Sequence, residues 1–178
     1  LFKSYKMNYS STTADNRGVL LFGGYQWDAM SGAEIAQGHN SAFVDKQNRS
    51  FVVYHTRFSN GGEGHQVRVH QLFLNDEGWL MAAPFEFDGE TITDEAIASK
   101  ASIADADIAG DYQFMRHQYG QNTKAKAFET PVNITLNADG TITGAEKGTW
   151  KRTAGTDYIH LTINNVVYRG VLVKQTVD

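Results

Sequence analysis

The sequence has no cysteine among its 178 residues. That excludes a disulfide framework, cysteine-based zinc sites and thiol catalysis, and leaves the compartment open. It also lacks a long apolar run. No stretch approaches the length of a membrane span, and no signal peptide opens the chain. Positive charge is not in excess: the formal net charge is -4, which argues against nucleic acid as a partner, because phosphate binding needs a basic surface. There is no glycine-rich phosphate loop, no HExxH and no GxSxG. Helical periodicity is nearly absent as well. Only residues 93–106, rich in Ala, Asp and Glu, lean that way, and they read as a linker or a short helix.

The remaining composition is ordinary for a globular protein, with 41% hydrophobic and 20% charged residues. The length suits one large domain or two small ones. Aromatics make up 12%. Buried, they fill a core; exposed beside a turn, they offer a face for sugar stacking. The chain opens on LFKSYKMNYS without Met and closes on VLVKQTVD. Both ends read as cuts in a longer protein or as processing sites.

Period-two alternation and turn residues predict an all-β chain in two units. In the first, 3–9 is a possible strand and 10–18 a turn-rich connection. Val19 to Phe22 reads as a buried strand stopped by Gly23-Gly24, and 28–38 as a polar loop. Ser41–Val44 and Arg49–His55 form a hairpin around Asp45-Lys46-Gln47-Asn48, and His65–Leu74 and Trp79–Ala83 complete the set. Five short strands at this spacing have the rhythm of a propeller blade or a small antiparallel sheet. The second unit starts at Ile108. It continues through Val132–Leu136, Thr141–Gly144, Gly148–Arg152, Tyr158–Ile163 and Val166–Val173, with Asn137-Ala138-Asp139-Gly140 and Asn164-Asn165 as tight turns. This is a small sandwich or an up-and-down barrel.

Candidate chemistry clusters between residues 18 and 88. His39 stands between a glycine and a small polar run; it is a metal or substrate ligand, or else a capping or core histidine. His55 and Arg57 are two apart and share a face of a regular strand, so they could clamp hydroxyls or a carboxylate. The alternative for Arg57 is a structural pair with Glu63 or Asp45. His65 and His70, five apart, fall on opposite faces and do not share a metal. Trp79 and Trp150 lie beside turns and are sugar platforms or core residues. The carboxylates from Asp28 to Asp88 sit mainly in turns. None forms a convincing acid/base pair of the kind glycosyl transfer needs.

Taken together, GHNSAF (38–43), FVVYHTRF (51–58), HQVRVHQLFLNDEGW (65–79) and GVLLFGGYQW (18–27) resemble the family 43 glycoside hydrolases that cleave α-1,5-arabinan. Residues 108–178 resemble the C-terminal barrel domain of the extracellular two-domain members. The resemblance implies the terminal blade of a five-bladed β-propeller over 1–90, a linker over 91–107 and a small antiparallel, lipocalin-like β-barrel over 108–178, truncated at its end. It implies that His39 lies on the propeller axis and binds calcium, with water as most of the other ligands. It implies an inverting mechanism whose three carboxylates belong to earlier blades, so that no catalytic residue lies in this chain and the chain alone is inactive. His55, Arg57 and Trp150 are then the substrate-binding candidates. The partners implied are arabinan or arabino-oligosaccharide and the N-terminal blades, in the same or a separate chain, in a secreted or periplasmic bacterial protein with neither nucleic acid nor membrane as partner. A reading from another class is a non-catalytic carbohydrate-binding module using Trp150, Tyr158 and Tyr168. A third is a barrel that only braces the propeller.

Overall fold

The computed structural model describes residues 20–62, 64–117 and 128–176. The alternating segments of the first half form four strands: β1 (Glu34–Val44), β2 (Ser50–Phe58), β3 (Gln66–Leu74) and β4 (Leu80–Ala82). They pair in chain order as one antiparallel sheet. The β1–β2 and β3–β4 turns use the same device. The Asp45 carboxylate accepts the backbone N–H groups of Gln47 and Arg49, both at 2.9 Å. Asn75 Oδ1 likewise accepts from Glu77 at 3.0 Å and Trp79 at 2.9 Å. A side chain that mimics a backbone turn in this way is what makes Asp and Asn good turn residues.

Strand β1 begins at Glu34, well before the expected Ser41. Its pairing with β2 shifts register between Ile35 and Gly38 and again between Gly38 and Ser41. Ala36 and His39 take φ of 53° and 48° there. Bulges insert residues into the alternation, so a strand that contains two of them reads as a loop in the sequence. Residues 20–22, expected as a buried strand, form none. Leu21 and Phe22 are drawn in by apolar burial alone, packing on Val52, Tyr54 and Leu72, while the following Gly23 N–H donates to His117 Nδ1 at 3.1 Å. Val19 and the expected strand 3–9 lie outside the described residues.

The second half supplies β5 (Gly110–Phe114), β6 (Val132–Leu136), β7 (Thr141–Gly144), β8 (Gly148–Arg152), β9 (Tyr158–Ile163) and β10 (Val166–Val171). These form a six-stranded meander with β5 and β10 at its edges. The sheet curls over a core of Ile103, Ile108, Ile134, Leu136, Ile142, Ile159 and Ile163. Its edge strands approach each other through an edge-to-face contact between Phe114 and Tyr168, 5.6 Å between centroids. The architecture is therefore all-β, two curled antiparallel sheets.

Residues 91–107 carry α1 (Asp94–Ser99) and one 3-10 turn (Asp105–Asp107). Thr93 caps α1 by accepting the Ala96 N–H at 3.2 Å. The fully buried Ile97 joins Phe73 of β3 and Ala83 in one cluster, against which Tyr158 and Val171 of the second sheet pack. The helix thus sits where the two sheets meet. No helix among the described residues is long and apolar enough to cross a membrane.

Candidate functional site

The bulged middle of β1 turns His39 outward. A non-glycine residue at positive φ is uncommon and costs of order 1 kcal/mol or more, so this backbone is held by its surroundings. His39 Nδ1 lies 3.2 Å from His55 Nδ1; one ring donates and the other accepts. The His55 ring meets His65 edge-on, 4.8 Å between centroids. Arg57 closes the row by donating from Nε to His65 Nε2 at 2.8 Å. Desolvation, followed by the charges of His65, His39 and Arg57, pushes His55 below its ordinary value of 6.5. The structure thus brings His39, His55 and Arg57 together and adds His65. His70 is apart from them, fully buried on the opposite face of β3.

Of the two alternatives for Arg57, Glu63 lies outside the described residues, and Asp45 is taken by Arg49 at 2.7 Å. Trp150 lies in β8, half-buried against the barrel core. Its indole N–H donates to the Asn137 carbonyl at 2.9 Å.

Chemically, the row is a nitrogen site. With Nδ1 of His39 engaged by His55, Nε2 is the atom left for a ligand, and the partner fixes the ring's orientation. Among the described residues no cluster of three or more His, Cys, Asp or Glu could hold a metal. Calcium takes six to eight oxygens. The row therefore fits a metal only as one imidazole ligand, with oxygen ligands from water or elsewhere.

A second polar group lies on the other face of this sheet and was not singled out in the sequence. Glu34, 4% exposed, accepts from Arg68 Nε at 2.6 Å, and Glu86 lies 3.3 Å from the same Nε. The Tyr25 hydroxyl donates toward the other Glu34 oxygen at 3.4 Å, and Tyr54 Oη lies 3.5 Å from that oxygen. His70 Nδ1 is 2.8 Å from the Ala83 carbonyl, to which it donates, and its Nε2, 3.0 Å from Tyr54 Oη, accepts. Burial holds the His70 imidazole below 6.5, consistent with that neutral tautomer. The signal was present in the alternation. Tyr54 pairs directly with Arg68 and Val52 with His70, so the buried face of β2–β3 carries polar groups that require a partner.

The chain is thus all-β, two curled antiparallel sheets, with a row of histidines on the first and a six-stranded half-barrel as the second. The model of the C-terminal lipocalin-like domain of family 43 glycoside hydrolases matches residues 84–178, more than half of the chain, and the chain belongs to that family. It is 40% identical over 177 residues to the extracellular endo-α-(1→5)-L-arabinanase of Thermotoga petrophila, covering 93% of this chain and 35% of that protein. Its identity to the extracellular endo-α-(1→5)-L-arabinanase 2 of Bacillus subtilis is 38% over 162 residues, 89% and 32% of the two chains. Among solved structures it is similar to the Thermotoga petrophila endo-1,5-α-L-arabinanase, with a TM-score of 0.79 at 39% identity over 94% of this chain and 36% of that one. A family 43 glycoside hydrolase of Bacillus licheniformis gives 0.78 at 34% identity, covering 94% and 35%. The chain spans about a third of the length of the curated relatives it matches.

Proposed function

We propose that this chain is the C-terminal part of a secreted endo-acting hydrolase of α-1,5-L-arabinan. The observation that carries the reading is the similarity to two extracellular arabinanases, which runs through both sheets and covers about nine-tenths of the chain. In this reading β1–β4 is the last blade of a propeller and β1 lines the axis. The general acid, the general base and the carboxylate that tunes the acid lie in the earlier blades, and hydrolysis proceeds with inversion. This chain alone does not hydrolyse arabinan. Its contribution is His39, which presents Nε2 to a calcium ion, with His55 holding the ring and His65 and Arg57 continuing the row behind His55. A divalent cation there would lower the pKa of nearby carboxylates that must stay ionised. His55 and Arg57 also offer donors to sugar hydroxyls.

The test is His39→Ala in an enzyme that carries this chain together with its blades. Calcium content, measured by elemental analysis, should fall by about one equivalent. Arabinan hydrolysis should fall at least about tenfold, the lower end of what loss of a metal-orienting group costs. Unchanged calcium and unchanged rate would refute the role of His39.

A second reading, a non-catalytic sugar-binding module, draws on Trp150, Tyr158 and Tyr168. All three are half-buried against core clusters, so a platform there would use only their uncovered rims. Arabino-oligosaccharide binding that is lost on truncation at Trp150 and Tyr168, with the fold intact, is the result that would favour it.

A further inference from the structure

The group around Glu34 borders a cavity of about 570 Å³, within the roughly 300–1,000 Å³ of small-molecule sites. Its walls come from Tyr25, the stretch 29–34, the end of β2 with Asn60, the middle of β3, the segment 84–88 and Thr176. The polar atoms facing it are of both kinds. Glu34, Glu86 and Asp88 supply acceptors; Arg68, Asn60 and Ser31 supply donors. Phe85, half-buried and tilted against Trp27 at 6.2 Å, adds an apolar wall. The other two phenylalanines on the cavity are already engaged, Phe58 by Arg68 at 5.3 Å and Phe87 by Arg49 at 5.3 Å.

This arrangement is costly as pure structure. Burying a Glu–Arg pair takes two charges out of water, and well-packed apolar residues in their place are often as stable or more so. A second carboxylate on the same guanidinium adds repulsion. Desolvation first, and the charge of Glu34 with it, hold Glu86 above its ordinary 4.5 against the pull of Arg68. Strained charge of this kind in a cleft is characteristic of binding sites.

Ligand class follows from charge and geometry. Three carboxylates around the cavity repel an anion. A cation must compete with Arg68, already hydrogen-bonded to Glu34 and close to Glu86. A neutral polyol meets neither obstacle, because its hydroxyls both donate to carboxylates and accept from guanidinium and amide. We infer that this cavity binds a neutral sugar, an L-arabinosyl unit of an arabino-oligosaccharide. The identity of the sugar rests on the proposed arabinan specificity.

The probe is arabinobiose, titrated calorimetrically into the whole enzyme, with Glu86→Ala and Asn60→Ala as variants. Both residues are exposed and on separate walls, and the melting temperatures of parent and variants check that the fold is kept. One saturable event should weaken at least tenfold in each variant, and Glu86→Gln should recover part of it. Titration curves identical to the parent in both variants would overturn the site. Calcium binding that vanishes in Glu86→Ala would overturn the ligand class. Xylobiose binding in place of arabinobiose, still sensitive to Glu86→Ala, would uphold a sugar site and overturn the arabinan specificity on which the sugar's identity rests.

Discussion

Asp157 shows how much one side chain can hold. It is fully buried, and its carboxylate accepts from the Ser102 N–H at 3.0 Å, the Ser102 hydroxyl, the Ile103 N–H at 3.4 Å and the Arg152 guanidinium. Arg152 in turn donates to the Ile103 carbonyl and to Thr156. The stretch 102–103 is thereby fixed to the end of β8, and Ile103 is set into the barrel core. Removing one member of a buried charged pair strands the other and costs about 3–5 kcal/mol. Asp157→Ala should therefore lower stability by about that amount, read from denaturant midpoints. Asp157→Asn keeps one acceptor oxygen but loses the charge that pairs with Arg152, so it too should lower the midpoint. A midpoint unchanged in Asp157→Ala would mean that Ser102 and Arg152 find water or other partners, and the anchor would not be structural.

Among the elements, β6 to β9 are where the sequence was most readable, residue for residue, because each is bounded by a turn whose chemistry is local. Asn164 and Asn165 both take positive φ, as a two-residue hairpin requires. β1 was least readable, since its two bulges are stabilised by pairing with β2 and leave no local trace. The histidine row was legible in part. His55 and Arg57 share a face as period two demands, whereas His65 reaches them only because β3 lies beside β2. Glu34 was missed because its partner, Arg68, is 34 residues away. Glycine matters at one strand pairing above others. A Cβ on Gly148 would stand 1.9 Å from the Thr162 carbonyl oxygen, at the first pair of the β8–β9 ladder. Gly148→Ala must push these strands apart, costing about 3 kcal/mol or more and lowering the melting temperature by roughly 6–12 °C. Gly110→Ala is the control, as a Cβ there meets nothing within 4 Å. Equal melting temperatures for the two variants would show that β8 can shift freely.

At the scale of the molecule, the question is what holds the two sheets together. Part of the answer is apolar, the cluster around Ile97. A polar part lies at the β3–β4 turn. Asp76 accepts from His160 at 2.6 Å and Arg169 at 3.1 Å. Glu77 pairs with Arg169 at 3.0 Å, and the Asn75 amide donates to the Arg169 carbonyl at 3.4 Å. Desolvation is the largest single influence on Asp76 and raises it, but the hydrogen bonds and charges of His160 and Arg169 together outweigh it and hold the carboxyl below 3.8. The sign follows from proton counting. With the folded value depressed, the unfolded chain binds more protons near pH 3.8, so the clasp's stabilisation is fully present above that pH and is lost as pH falls through the folded value. Asp76 is partly solvated, and surface pairs are worth little, so the effect should show in the contact between the sheets more than in the global midpoint. Hydrogen exchange at pH 6 should therefore show faster exchange of the Trp79 amide in the β3–β4 turn in Asp76→Ala, with the amides of β6–β8 unchanged. The parent should acquire the same pattern only when taken below pH 4. Equal protection in parent and variant at both pH values would show that Asp76 does not hold this contact.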